Sequence, residues 1–155
     1  MALSIRNSRR HVSEADIVEA EVRIAREIPQ GYRNFLLQHN GGVPSLRAFD
    51  IYNWSSIRLR GSILTHFASI DPQDTWRIDR YLSIYQGRLP TTLFPFGRDM
   101  GGNLLCMSEA DATRGAILYW DHEEERTDGG EPWMNNVYYV ANSLSAFLES
   151  LKSVT

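Results

Sequence analysis

The chain has 155 residues, of which 43% are hydrophobic and 23% charged, and this length and composition are typical of one globular domain spanning 1–155. Its formal net charge of −3 argues against a general nucleic-acid-binding protein, because such proteins carry a surplus of basic residues. The single cysteine, Cys106, excludes an intrachain disulfide and a zinc site made of thiolates. No apolar run has the form of a signal peptide or the length of a membrane span, so we expect a cytoplasmic protein.

A first helix is predicted after a short N-terminal segment. Residues 1–12 show little apolar pattern, and we expect them to be frayed. Ser13 followed by Asp16 has the spacing of a helix N-cap with a capping box. Apolar residues at helical spacing come next and predict an amphipathic helix over about 14–27.

A second helix has a clear beginning and end in the sequence. Pro29 suits the first helical turn, and Tyr32 and Phe35 fall on one face of the helix. Asn40 and Gly41 are typical of the left-handed residues that follow a helix C-terminus. The segment therefore predicts a helix that begins at about Pro29 and ends at Asn40.

Short strands and a third helix are predicted in the middle of the chain. Residues with β-branched and aromatic side chains indicate strands at about 49–53, 57–60 and 63–67. Residues 74–86 change to a helical period, with Asp74 as the expected cap.

Strands dominate the last third of the chain. Apolar runs indicate strands at about 93–97, 103–107, 116–121 and 136–141, and an apolar stripe at helical spacing predicts a closing helix over 143–151. Helices first, consecutive strands in the middle and a helix last predict an α+β fold. We expect a largely antiparallel sheet on which two N-terminal helices, the mid-chain helix and the C-terminal helix are packed.

Glycines between two of these strands raise the question of a nucleotide site. Gly97 and Gly102 have the spacing of the outer glycines of a phosphate-binding P-loop. A P-loop then requires Lys followed by Ser or Thr, whereas Asn103 and Leu104 occupy these positions and lead into a strand. We therefore interpret Gly101 and Gly102 as a tight turn between strands. No catalytic motif such as a nucleophile elbow is present, and we expect a protein that is not an enzyme.

The most charged segment follows the strand at 116–121. Its carboxylates belong to Asp121, Glu123, Glu124, Glu125, Asp128 and Glu131. A solvated loop is the ordinary interpretation of such a run, and an acidic docking surface for a basic partner protein is the functional one. A metal site is disfavoured, because adjacent residues of an extended strand point to opposite faces.

The tryptophans divide into two groups by their sequence setting. Trp120 lies in an apolar strand and is expected in the core. Trp54 and Trp133 lie in polar, turn-like segments and are candidate anchors for a protein partner, because interfaces favour tryptophan at their energetic centres.

Three blocks of sequence together carry a family pattern: IPQGYRNFLLQHNGG, LFPFGRDMGGNLLCMSEADATRGAILYWDHE and YVANSLSAFLESL. The residues that match this pattern are Pro29, Tyr32, Phe35, Leu36, Asn40, Gly41, Gly42, Phe96, Gly97, Asp99, Gly102, Asn103, Trp120, Asp121, His122 and Glu123. In content and order the blocks resemble the SUKH superfamily, known mainly from bacterial immunity proteins of polymorphic toxin systems and from a fungal regulator of cell-wall synthesis.

The resemblance implies an α+β fold, no catalytic residues and function by binding a protein, and we expect no cofactor. We expect an immunity protein that neutralises a cognate toxin domain, such as a nuclease with a basic face. The alternative is an intracellular regulatory scaffold that binds a host protein, as the fungal relatives do. Residues 45–90 match none of the blocks, and this region is the alternative location of the interface if the acidic segment is only a solvated loop.

Overall fold

The computed structural model describes residues 2–155, and this part of the chain forms four α-helices and eight β-strands. The helices are α1 (Glu14–Ile24), α2 (Gln30–His39), α3 (Ile78–Ile84) and α4 (Leu144–Ser150). The strands are β1 (Ile5–Arg6), β2 (Val43–Pro44), β3 (Ala48–Tyr52), β4 (Arg58–Phe67), β5 (Leu93–Asp99), β6 (Leu104–Ser108), β7 (Ile117–Trp120) and β8 (Val137–Ala141).

The strands confirm the α+β class and the antiparallel pairing, and six of them close into a barrel. Strands β3 to β8 follow one another in sequence order around the barrel. Each pairs antiparallel with the next, and Tyr52 of β3 pairs with Tyr139 of β8 to complete the circle. Sequence periodicity shows which strand faces are apolar, but it does not show that the first and last strands meet.

Helix α1 begins at the predicted capping box. The Ser13 Oγ accepts a hydrogen bond from the Asp16 amide at 3.2 Å, and the Asp16 carboxylate accepts one from the Ser13 amide at 2.8 Å. The helix ends at Ile24, three residues earlier than predicted, because Ala25 takes a left-handed conformation with φ of 54°. A non-glycine residue in this conformation ends the helical hydrogen-bond pattern.

Helix α2 ends at the Asn-Gly-Gly sequence, as predicted. Asn40 is buried, and its side-chain amide donates to the Arg10 carbonyl at 2.8 Å and accepts from the Ile70 amide at 3.0 Å. Gly41 and Gly42 follow with φ of 80° and 114°. This turn therefore joins the N-terminal segment to the segment that follows β4.

The N-terminal segment differs from the expected frayed terminus. Met1 lies outside the described residues, but Ile5 and Arg6 pair with Pro44 and Val43 as a two-stranded sheet. Val12 is buried in the core. The apolar pattern of the segment is too short to show this, because its partners lie more than 30 residues away in the sequence.

Two further predictions for the middle of the chain are wrong. The strands predicted at 57–60 and 63–67 form one continuous strand, β4, because β3 pairs straight across Gly61 and Ser62. Helix α3 begins at Ile78 rather than near Asp74. The Asp74 carboxylate instead accepts hydrogen bonds from the Ser69 hydroxyl at 2.7 Å and the Trp76 amide at 3.1 Å, so it holds the preceding turn.

The core is continuous between the barrel and the helices. Trp120 and Tyr119 of β7, Phe49 of β3 and Phe147 of α4 are fully buried in it. Tyr32 of α2 packs against several barrel residues, and its hydroxyl donates to the carbonyl of Ala68. Aromatic rings bury a large area each, so they contribute much of the hydrophobic stabilisation of this fold.

His66 of β4 lies in an aromatic cluster between the barrel and α3. Its ring stacks on Trp76 at 4.9 Å between centroids, and its Nε2 shares a hydrogen bond of 2.6 Å with the Tyr81 hydroxyl. Burial lowers the pKa of His66 from 6.5 to about 4; the charge of Asp74 opposes this shift and that of Arg98 adds to it. The imidazole is therefore neutral in the folded protein at neutral pH.

We expect His66 to make the protein less stable in mild acid. Between pH 6.5 and about 4, the unfolded chain protonates this histidine and the folded protein does not. The free energy of unfolding is therefore not reduced by this group above pH 6.5, and it decreases as the pH falls from 6.5 toward 4. Going from pH 7 to pH 5, the wild type should lose about 1–2 kcal/mol more than a His66→Gln variant in urea denaturation. Equal losses in the two proteins would contradict this prediction.

Candidate partner-binding site

The predicted acidic segment forms a loop between β7 and β8, but its first carboxylate is buried. Asp121 is only 8% exposed. Its carboxylate accepts hydrogen bonds from the Arg60 guanidinium at 3.1 Å and from the Glu123 amide at 3.0 Å, where a short 3-10 helix begins. Asp121 is therefore a structural cap and ion-pair partner, and the expectation that it belongs to an exposed docking surface is wrong.

Two other carboxylates of the loop already have cationic partners. Glu125 accepts two hydrogen bonds from the Arg88 guanidinium, at 3.0 and 2.7 Å. Asp128 accepts one from Arg126 at 2.6 Å, and this guanidinium holds the pKa of Asp128 below its usual value. Both carboxylates therefore contribute less long-range field than their number in the sequence suggests.

The remaining carboxylates of the loop are exposed. Glu123, Glu124 and Glu131 make no ion pair within residues 2–155. Glu124 accepts a hydrogen bond from the Tyr138 hydroxyl at 2.7 Å, and this contact raises the pKa of Tyr138 to about 12. The six carboxylates of the segment thus face three guanidinium groups, and a surplus of three negative charges remains on this surface.

The two candidate anchor tryptophans differ in exposure and contacts. Trp54 is 51% exposed, and its Nε1 donates to the Val137 carbonyl at 2.9 Å. Trp133 is partly covered by the Arg126 guanidinium, which lies 5.4 Å from its ring centroid. Trp54 therefore presents a large apolar face beside the start of β8, with its polar nitrogen already satisfied.

Further exposed apolar residues lie close to Trp54 in sequence or beside β8, and their sequence pattern did not mark them as candidates. Ile57 and Leu59, on the β3–β4 hairpin, are both exposed, as is Met134 of the acidic loop. The alternating sequence from Ile57 to Ile63 indicated a half-exposed strand, but not which of its apolar side chains lie in solvent.

Residues of the second sequence block form a buried polar network at one end of the barrel. The Asp99 carboxylate accepts hydrogen bonds from the Gly101 amide (2.9 Å), the Asn103 amide (2.8 Å), the Ser62 hydroxyl (2.7 Å) and the Tyr119 hydroxyl (2.6 Å). Burial, and then the contact with Asp99, raise the pKa of Tyr119 well above its usual value, so it remains a donor. Each polar atom of this carboxylate has partners, which is typical of a structural group.

The same network joins two motifs that are distant in the sequence. The Asn103 side-chain oxygen accepts a hydrogen bond from the His122 amide at 3.0 Å, so the Gly-Asn motif contacts the Trp-Asp-His motif. Asn103 is buried, and its side chain links the two motifs in addition to its place in the turn.

The glycines of this block have separate structural reasons. Gly102 has φ of 82°, which confirms the predicted turn between β5 and β6. In β5, a side chain at Gly97 would lie 3.3 Å from Leu64, so close strand packing explains this glycine.

The Cys106 thiol, a metal-binding cluster and a membrane-spanning helix are three further features that could indicate function. Cys106 is fully buried, and burial raises the pKa of its thiol well above the usual range. Residues 2–155 contain no group of three or more histidines, cysteines or acidic residues arranged to hold a metal ion. None of the four described helices is long and apolar enough to cross a membrane.

Comparisons with known proteins agree with the three sequence blocks. The profile of the SMI1/KNR4 family (SUKH-1) matches residues 11–150. The SPbeta prophage-derived uncharacterized protein YokK of Bacillus subtilis (strain 168) is 26% identical over 146 residues, covering 86% of this chain and 71% of that protein. A crystal structure of a protein from Pseudomonas syringae pv. tomato has a TM-score of 0.51 at 22% identity, covering 84% of this chain and 80% of that chain. This structural likeness concerns the fold alone.

The family match spans most of the chain and includes the motifs whose contacts are described above. Its range contains the Asn-Gly-Gly turn after α2, the Gly-Asn turn before β6 and the Trp-Asp-His sequence after β7. The resemblance seen in the sequence is thereby confirmed, and the chain belongs to the SMI1/KNR4 family, SUKH-1.

Proposed function

We propose that this protein is an immunity protein that binds and neutralises a cognate toxin domain of a bacterial polymorphic toxin system. Membership of a family that includes toxin immunity proteins is the observation that carries the proposal. The motif residues of this chain hydrogen-bond to one another in a buried network, which supports a structural role for them rather than catalysis. The protein acts in the cytoplasm of the cell that makes the toxin.

The acidic loop and the neighbouring hairpin are the proposed contact surface. The surplus negative charge of Glu123, Glu124 and Glu131 would attract a toxin with a basic face, such as a nuclease. Trp54 would supply an apolar anchor, since its ring is exposed while its nitrogen is already bonded. Covering the basic face of the toxin would exclude its substrate.

The test is co-expression with a candidate toxin domain, taken from a large secreted protein if one is encoded next to this chain. A strain that produces the domain alone should die, and a strain that also produces this protein should survive. Death despite this protein, or survival without it, would contradict the proposal. A complex with another host protein, recovered from cells that die, would favour the regulatory-scaffold alternative.

We expect charge reversal in the acidic loop to slow association with the toxin domain. The double variant Glu123→Lys/Glu131→Lys leaves the Arg88–Glu125 and Arg60–Asp121 pairs in place. At low salt its association rate should fall by about tenfold or more, and the rate should depend less on salt. Surface-captured binding kinetics at two salt concentrations measure both effects.

The matched control reverses two exposed glutamates elsewhere with the same change in net charge. In the variant Glu19→Lys/Glu149→Lys the changes lie on α1 and α4. Its association rate should fall much less, because the field near the contact surface is retained. Equal slowing by the two variants would show that net charge, rather than this loop, governs the encounter.

A further inference from the structure

Strand β4 has an open edge on the barrel surface. Strand β5 pairs with β4 only from Leu64 to Phe67, although β4 begins at Arg58. The Leu64 amide bonds to Arg47 on the β3 side, whereas the Ile63 carbonyl accepts from Met100 on the β5 side. Because backbone groups alternate along a strand, the N–H and C=O of Gly61 point to the β5 side. No described strand pairs with Gly61 there.

A groove lies directly beside this edge. It has a volume of about 670 Å³ and extends over the outer face of β3 and β4. Gly61 contributes no side chain to its floor, while Met100 and Val154 stand on its two sides and are 67% and 46% exposed. The groove is therefore wide enough for an apolar side chain and is partly lined by apolar surface that the chain itself leaves uncovered.

The charges at the groove favour an acidic occupant. The Arg58 guanidinium and the Lys152 ammonium both contact the Asp50 carboxylate, at 2.9 and 2.8 Å. Two cations thus share one carboxylate, and both cationic side chains are more than half exposed. A carboxylate on a docked segment would complete this arrangement at the surface.

A second copy of the chain is a poor occupant of the same edge. Antiparallel pairing of two β4 edges would bring Arg58 and Arg60 of one copy close to those of the other. Like charges opposite one another destabilise a strand pair, and this repulsion is absent when the added strand carries carboxylates.

We propose that the open edge of β4 and its groove bind an extended segment of the partner protein by strand addition. An apolar side chain of that segment enters the groove over Gly61, and a carboxylate on the same face of the segment contacts Arg58 and Lys152. Backbone hydrogen bonds to Gly61 supply affinity, and the groove and its charged rim supply selectivity. The inference rests on the proposed function only in taking the toxin domain as the source of the segment.

Peptide binding at the open edge of β4 can be measured without the toxin, by nuclear magnetic resonance on the ¹⁵N-labelled 155-residue chain. The probe is a synthetic peptide in which valine and glutamate take turns on one strand face, with threonine at every position of the other face, and the control peptide has lysine in place of glutamate. The glutamate peptide at millimolar concentration should shift the amide signals of Leu59, Gly61 and Met100 and give cross-strand contacts to Gly61. The lysine peptide should not.

A variant that fills the groove separates this site from nonspecific attraction. In Gly61→Leu the new Cβ atom would lie 3.2 Å from the flexible end of Arg58, 3.4 Å from the Phe49 carbonyl and 3.7 Å from the Asp50 carboxylate. The fold should therefore persist, and the spectrum can verify it. Peptide affinity should fall at least about tenfold. Absent shifts with the glutamate peptide, equal shifts with the lysine peptide, or undiminished binding to Gly61→Leu would overturn the inference.

The co-expression experiment distinguishes failure of this inference from failure of the proposed function. Survival of toxin-producing cells without any peptide binding at β4 would leave the immunity function in place and remove the strand-addition site. Peptide binding at β4 with death of those cells would retain the site and remove the toxin as its source.

Discussion

The substitution Gly42→Val should lower the free energy of unfolding by about 3–5 kcal/mol, because it combines backbone strain with a steric clash. Gly42 has φ of 114°, a conformation that β-branched residues rarely adopt. A Cβ atom there would lie 2.7 Å from both the Arg6 carbonyl oxygen and the Ile5 side chain. The clash falls on backbone, so β1 would have to move away from β2.

Gly87→Val is the matched control for this prediction. Gly87 also has a positive φ, 79°, but a Cβ atom there would meet nothing within 4 Å. Gly87→Val should therefore lower the free energy of unfolding by the cost of backbone strain alone, about 1–2 kcal/mol. Urea denaturation of the two variants measures the difference, and equal losses would mean that the approach of β1 to Gly42 does not constrain the fold.

Removal of the buried carboxylate of Asp99 should have an effect of similar size. In Asp99→Ala the buried donors of Tyr119 and the Asn103 backbone and the partly buried hydroxyl of Ser62 lose their acceptor. Each unsatisfied buried donor costs about 1–3 kcal/mol, so we expect a total loss of about 3–5 kcal/mol in urea denaturation. The loss should also loosen the turn between β5 and β6, since the Gly101 amide is held by the same carboxylate.

Asp111→Ala is the control for loss of a carboxylate without burial. The Asp111 side chain is 99% exposed and pairs only with Arg114 one helical turn away. Its removal should change stability by less than about 0.5 kcal/mol, because exposed ion pairs contribute little. If Asp99→Ala were as mild as this control, the network would not be the structural link between the two sequence motifs.

The local parts of the fold could be predicted from the sequence. The capping box at Ser13, the end of α2 at Asn40 and the turn at Gly102 depend on residues a few positions apart, and all three were predicted correctly. Failures occurred where local signals compete with distant contacts. Asp74 has the character of a helix cap, but its carboxylate bonds to Ser69 and fixes a turn instead.

The candidate site could be predicted only in part, for the same reason. The sequence identifies six carboxylates in one segment, but it cannot show that Arg60 neutralises Asp121 across 61 positions or that Arg88 neutralises Glu125 across 37. These pairs form because the barrel brings β4 and the segment after α3 against the loop. The number of carboxylates was therefore evident from the sequence, but the net negative charge that remains after ion pairing was not.

The sequence by itself determined the α+β class, the order of the four helices and the family, because these depend on periodicity, caps and motifs within short segments. Only the tertiary structure decided the closure of the barrel through Tyr52 and Tyr139, the burial of Asp121 and the open edge at Gly61. Each of these depends on where two distant segments meet and how far their pairing extends. The packing of the whole core decides which distant segments pair, and no local sequence pattern specifies that packing.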